Sequence, residues 1–294
     1  SMKELSGICV PVCTTFDNTG NNLDETAFLK HIDTMIEAGV HVIMVCGGTG
    51  EFAYLNTEEK RRLIEVSARH VEGRAAFVAQ TSAISTRDTI EASKHAADHG
   101  VDAVMVLPPY FEGPDLEGVY YHFEAVNDAI DVPIMVYNIP QHSGIDITPD
   151  FFRRLLELSN VRYIKDSMGD LVRIQELVET GGTIFNGGDP IAFQGLLAGC
   201  QGCVWGAVNA MPKETVQLYE LVSSGQLVEA NEVWRRLLPA QLFFWTTPVY
   251  NPAVKAAANL QGFSVGIERK PQLPLANSEL EKLKSALAVL SAAS

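Results

Sequence analysis

The chain has 294 residues, is 47% hydrophobic and carries 22 basic against 36 acidic side chains, a net charge of −14. That balance repels phosphate backbones and anionic lipid, which argues against nucleic acid or membrane partners. No apolar run approaches a membrane span, and five cysteines, an odd number in mostly apolar stretches, read as reduced thiols of a cytoplasmic protein.

From the start, short β-rich apolar runs alternate with longer amphipathic stretches. No basic-then-apolar leader opens the chain, and Ser1-Met2 reads as one residue placed ahead of a natural start. Ile8 to Val12 is followed by a helical pattern over Asp24 to Glu37, and Val42 to Val45 by a helix that Thr57 can cap. Ala76 to Ala79 precedes a helix from Ser85, and Ala103 to Val106 one from Leu116. Ile134 to Val136 leads to Thr148-Pro149-Asp150, a cap with proline at the first helical position. Val161 to Ile164, Thr183 to Phe185 and Gly202 to Val204 are followed by helices from Leu171, over Ile191 to Ala198 and over Lys213 to Ser223. Eight βα units with strands apolar on both faces predict a parallel sheet closed into a (β/α)8 TIM barrel over residues 1–224, with an open doubly wound sheet as the alternative. After Gly225 three helical patterns, from Leu227, Pro252 and Ser278, form a C-terminal extension over 225–294.

Active sites of such barrels lie at the C-terminal ends of the strands, and polar chemistry gathers there. Strand two ends in Cys46-Gly47-Gly48-Thr49-Gly50-Glu51, strand four in Pro108-Pro109-Tyr110-Phe111 and strand five in Tyr137-Asn138-Ile139-Pro140. Strand six ends in Lys165-Asp166-Ser167 and strand seven in Asn186-Gly187-Gly188-Asp189. Lys165 ends an apolar strand, where burial disfavours the ammonium and prepares a neutral amine able to attack a carbonyl as an imine former. The alternative is a lysine that snorkels to the rim. Side chains alternate along a strand, so Asp166 should point away from it. Tyr137 can pass a proton, or be an ordinary amphipathic tyrosine at the barrel mouth. The Gly47–Gly50 turn can offer backbone N–H groups to a small anion, or be only a tight turn; Glu51 beside it would repel phosphate, so a carboxylate is the expected guest. His95 and His99 share a helix face but read as a solvated surface, and Cys200 and Cys203 as buried thiols; no metal-ligand cluster is evident.

Gly47-Gly48-Thr49-Gly50-Glu51, Tyr137-Asn138-Ile139-Pro140 and Lys165-Asp166-Ser167, in this order and at these separations, resemble the dihydrodipicolinate synthase and N-acetylneuraminate lyase family over essentially the whole chain. The resemblance implies a homotetramer and a Schiff base between Lys165 and a 2-oxo acid, with Tyr137 shuttling protons. Gly48, Thr49 and the backbone near Val204 would hold the pyruvate carboxylate, and no metal or organic cofactor is implied. Departures bear on the substrate. Gly48 stands where a second threonine is usual, Phe111 where a tyrosine relays protons across a subunit boundary, and His142 where an arginine grips a second carboxylate. Pro190 follows Asp189 where sialic acid lyases have a second acid. These departures argue against a true dihydrodipicolinate synthase and make His142, Phe111 and Asp189 the candidates for specificity. The preferred reading is a 2-keto-3-deoxy acid lyase, aldol cleavage ahead of dehydration of the keto-deoxyglucarate dehydratase kind. The alternatives are the synthase itself, a non-catalytic 2-oxo-acid-binding paralogue, and a phosphosugar barrel, for which Asp189 has the wrong charge.

Overall fold

In the computed structural model, which describes residues 2–291, every one of the eight apolar runs is a strand. They are β1 (Gly7–Pro11), β2 (Val42–Val45), β3 (Ala76–Gln80), β4 (Ala103–Val106), β5 (Ile134–Asn138), β6 (Val161–Asp166), β7 (Thr183–Asn186) and β8 (Gly202–Val204). Each pairs in parallel with its sequence neighbour, and β1 pairs with β8, so the sheet closes as a barrel and the open alternative falls. The connecting helices are α1 (Glu25–Glu37), α2 (Thr57–Val71), α3 (Thr86–Asp98), α4 (Leu116–Ala129), a short α5 (Pro140–Ser143), α6 (Pro149–Leu155), α7 (Leu171–Val178), α8 (Ala192–Ala198) and α9 (Pro212–Ser223). The tail holds α10 (Leu227–Thr246), α11 (Tyr250–Leu260) and α12 (Asn277–Ala288). Ser1, read above as preceding a natural start, lies outside the described residues.

The helix starts follow local chemistry. Asp24, Ser85, Asp115, Thr148 and Asp170 each accept a backbone N–H from the first turn of the helix they open. At α2 the cap is Asn56 rather than Thr57: its side chain accepts the Glu59 N–H while the Glu59 carboxylate accepts the Asn56 N–H, closing a capping box one residue earlier than expected. The short α5 was not foreseen, because one turn carries no periodicity.

Two apolar layers separate cleanly by strand alternation. Outward strand residues join the helices in one large core, while Cys9, Val42, Met44, Val78, Met105, Met135, Tyr163, Phe185 and Val204 fill the barrel interior. Along β6, Tyr163 and Lys165 point inward and Ile164 and Asp166 outward. The β5–β6 pairing holds an irregularity: Ile134 pairs with Val161 but Met135 with Tyr163, so Arg162 is an extra residue, and beyond it Tyr137 lies opposite Lys165.

Candidate active site

Lys165 is 7% exposed, and among the described residues its amine has neither an ion pair nor a hydrogen-bond partner. Its nearest recorded companion is an aromatic face, with Nζ 4.3 Å from the ring centroid of Tyr137. The close fit depends on Gly187: a Cβ there would sit 2.7 Å from Lys165 Cε. Asp166 points away as alternation demands, accepting from Asn138 Nδ2 at 2.9 Å, and burial lifts it to about 6. Cys9 lies within electrostatic reach of Lys165 inside the barrel; burial drives its thiol up to about 12, which leaves it protonated and inert.

Across the mouth, the Gly47–Gly50 turn is held from several sides. Two non-glycine residues, Cys46 and Glu51, bound it with φ of 59° and 63°, conformations that cost about 1 kcal/mol or more each. Gln80 Nε2 donates to the Cys46 carbonyl at 3.0 Å, and Thr14 Oγ1 donates to the Gly50 carbonyl at 2.6 Å. Among the described residues the N–H groups of Gly48 and Thr49 donate to no protein acceptor, and the Thr49 hydroxyl is likewise uncommitted. Three donors are thus left for a guest. Glu51, expected to repel a dianion here, does not. Its carboxylate turns away from the mouth, is 1% exposed, meets Lys255 Nζ at 2.7 Å and accepts the Arg269 N–H at 2.9 Å. The opposite charge lies 204 positions along the chain, beyond the reach of any local pattern.

The remaining wall comes from strands seven and eight and from the tail. Val204 buries its side chain inside the barrel; the backbone that approaches Thr49 is Gly206, where a Cβ would lie 2.7 Å from Thr49 Oγ1 and 2.7 Å from Tyr250 Cε1. The Gly206 N–H donates to the Tyr250 hydroxyl at 2.9 Å, and that hydroxyl donates to Asp189 Oδ2 at 2.9 Å. Burial lifts Asp189 to about 7, opposed by the Tyr250 hydrogen bond and the nearby Lys165 charge. Tyr250 is itself pushed well above the usual phenol range by burial and by Asp189. Thr49, Gly206, Tyr250 and Asp189 are therefore linked in series along the mouth, and Lys165 and Tyr137 are paired on the same rim. Tyr250 and Gly206 were missed from sequence, and Gly187 was placed on the rim without its packing against Lys165; the only signal was that strands seven and eight each run into glycine.

The three specificity candidates separate. Asp189 is brought to Lys165. Phe111 is 65% exposed, outside the packed rim, and His142 is exposed with no side-chain hydrogen bond among the described residues. Nor do strands seven and eight offer a phosphate cradle, for a reason other than charge. The Gly187 N–H donates to the Asp166 carbonyl and the Gly188 N–H to Asn186 Oδ1, so these donors are already committed. The five cysteines are buried free thiols, as expected.

A family model described as the dihydrodipicolinate synthetase family matches residues 4–290. The chain belongs to that family. It is accordingly an enzyme, a carbon–carbon or carbon–oxygen lyase of the class I aldolase type. A 4-hydroxy-tetrahydrodipicolinate synthase of Clostridium perfringens is 35% identical over 286 residues, covering 96% of this chain and 97% of the relative. A crystal structure of a dihydrodipicolinate synthetase homologue from Pseudomonas aeruginosa superposes with a TM-score of 0.93 at 32% identity, covering 98% of this chain and 100% of that one. A prophage protein of the family from E. coli K12, solved in complex with pyruvate, gives 0.93 at 29% identity, covering 98% and 99%. Family members of known name thus carry the synthase title, which favours the synthase reading over keto-deoxy acid cleavage and lends no support to the expectation that the chain is not a true synthase. No helix among the described residues is long and apolar enough to cross a membrane.

Proposed function

We propose that the chain forms an imine between Lys165 and pyruvate or a related 2-oxo acid and uses it to make or break the adjacent carbon–carbon bond. One observation carries this reading: a buried lysine with no ion pair among the described residues stands opposite Tyr137, on the rim that also holds the uncommitted donors of Gly48 and Thr49. A buried lysine normally has a partner, so leaving one unpaired is costly unless the site uses it. The N–H groups of Gly48 and Thr49 and the Thr49 hydroxyl hold the carboxylate, and Lys165 Nζ adds to C2. Loss of the C2 oxygen as water, with Tyr137 passing the proton, leaves a protonated imine. That cation takes up the electrons of a departing C3 proton or of a breaking C3–C4 bond, giving an enamine. The enamine then adds to an aldehyde, or is protonated at C3 and hydrolysed to free the 2-oxo acid and Lys165.

On the second substrate, the relatives' names support condensation of the 4-hydroxy-tetrahydrodipicolinate synthase kind. The keto-deoxy acid reading keeps one specific support: His142 stands exposed where the resemblance implies an arginine, and Asp189 lines the mouth as a partner for hydroxyls. The oligomer, by the same resemblance, is a homotetramer. Borohydride added with pyruvate should leave a reduced pyruvate adduct on the peptide containing Lys165; an unmodified lysine overturns the proposal. Product masses from pyruvate with a panel of aldehydes, set beside cleavage of keto-deoxy acids, then assign the reaction.

A further inference from the structure

At the opposite end of the barrel from Lys165, three side chains that ligate metals meet between two outer helices. Glu65 lies on α2, His95 in the last turn of α3 and His99 at its C-cap. Their nearest ligand atoms all fall within 4.8 Å of one another. Glu65 Oε1 is 3.5 Å from His95 Nε2 and 3.8 Å from His99 Nε2. Bonds of about 2.0–2.1 Å from a tetrahedral zinc ion would set donor atoms about 3.3 Å apart, so the three need only small side-chain adjustments to share a cation.

The hydrogen bonds sharpen the argument. His99 Nδ1 lies 2.8 Å from the His95 carbonyl, which can only accept, so the proton is on Nδ1. With Nδ1 so committed, the other ring nitrogen, Nε2, is the atom left to face the Glu65 carboxylate, 3.8 Å away. His95 Nδ1 is buried without a partner, and that ring is only 13% exposed at its side chain, packed 4.4 Å from His99. This is a half-enclosed cluster, not the solvated face expected from sequence. The three ligand atoms converge on one point, where a single cation could be held by all of them. Arg61, on the same helix as Glu65, is a nearby positive charge that opposes it.

We propose that Glu65, His95 and His99 bind one divalent transition-metal ion, zinc above all, which ties α2 to α3. Two imidazoles and one carboxylate favour zinc, cobalt or nickel over magnesium or calcium, which want oxygen donors. The fourth position is left to water. Placed at the end of the barrel where stability rather than catalysis resides, the ion has a structural role.

The test is zinc titration of the metal-stripped protein by calorimetry, with cobalt absorption as a reporter of coordination. Wild type should take one zinc ion per chain, gain several degrees in melting temperature and give cobalt bands of a four-coordinate site. His99→Ala should weaken binding more than the about 10–100-fold lost when only an outer partner of a ligand is removed, and should abolish the thermal gain. Glu65→Gln, which keeps shape and volume, serves the same purpose should the alanine variant fold poorly. Zinc binding with unchanged stoichiometry and affinity in His99→Ala or Glu65→Gln, or no zinc binding by wild type, overturns the proposal.

Discussion

Two lysines are buried among the described residues, one in the barrel and one in the tail, and they lead opposite lives. Lys255, 1% exposed on α11, is saturated: it meets Glu51 at 2.7 Å, donates to the Ile267 carbonyl at 2.7 Å and lies 4.6 Å from the Phe16 ring centroid. Lys165, 7% exposed on β6, has an aromatic face and, among the described residues, neither an ion pair nor a hydrogen bond. The first fastens the tail to the β2 turn; the second is left for a substrate. A buried charge with all its partners reads as architecture, and one without them as chemistry.

The same substitution made at both places breaks the comparison most sharply. Lys165→Met should lower turnover by about 10⁴-fold or more and abolish borohydride trapping, while leaving the denaturation midpoint unchanged or raised, since no pair is lost. Lys255→Met should do the reverse, costing about 3–5 kcal/mol of stability in urea unfolding because Glu51 is left buried without its counter-ion. Equal effects of the two changes on stability would erase the distinction. Tyr137→Phe comes next: kcat should fall about 10²–10⁴-fold with the thermal midpoint held, and a wild-type rate would remove its hydroxyl from proton transfer.

Asp189 sits between the two regimes and gives a pH signature. Its folded value of about 7 exceeds the ordinary 3.8, so the folded chain keeps a proton that the unfolded chain releases. The stability attached to that proton is whole below about pH 4 and declines as pH rises through about 7. Asp189→Asn should not show the decline, so its stability relative to wild type should improve by about 2 kcal/mol between pH 5 and 8. Parallel curves for the two proteins would place the carboxyl at an ordinary value. The smallest effect is expected at Gly48, where an added Cβ meets no heavy atom within 4 Å. Gly48→Thr should change stability by less than about 0.5 kcal/mol yet shift KM for pyruvate; an unaltered KM would take residue 48 out of carboxylate binding.

Much of this was legible from residues alone, because period-2 and period-3.6 patterns are local. Eight strands, their order and the rim position of Lys165 and Tyr137 follow from where apolar runs stop. The role of Glu51 did not, since its charge is cancelled from α11. Tyr250 was hidden for the same reason: α11 reads as an ordinary tail helix until the chain folds back and sets its phenol between Gly206 and Asp189. The α2 cap fell one residue from the expected Thr57, on Asn56, because both residue types cap well and only the backbone distinguishes them. Phe111 and His142 stood out by comparison with a family pattern, yet neither is packed against Lys165 within this chain.

The extra residue in β6 has a consequence for how such an enzyme can change over time. Because Arg162 is passed over in the pairing with β5, the two side chains that share the mouth come level only beyond that point. Were the same residues to pair without the bulge, Ile164 would stand across from Tyr137 and Lys165 across from Asn138, leaving every reactive group in the gene and none in phase. Loops on this rim can grow or shrink while new substrates are tried, but a strand of this length must keep its bulge, or the lysine turns to the outer face of the barrel.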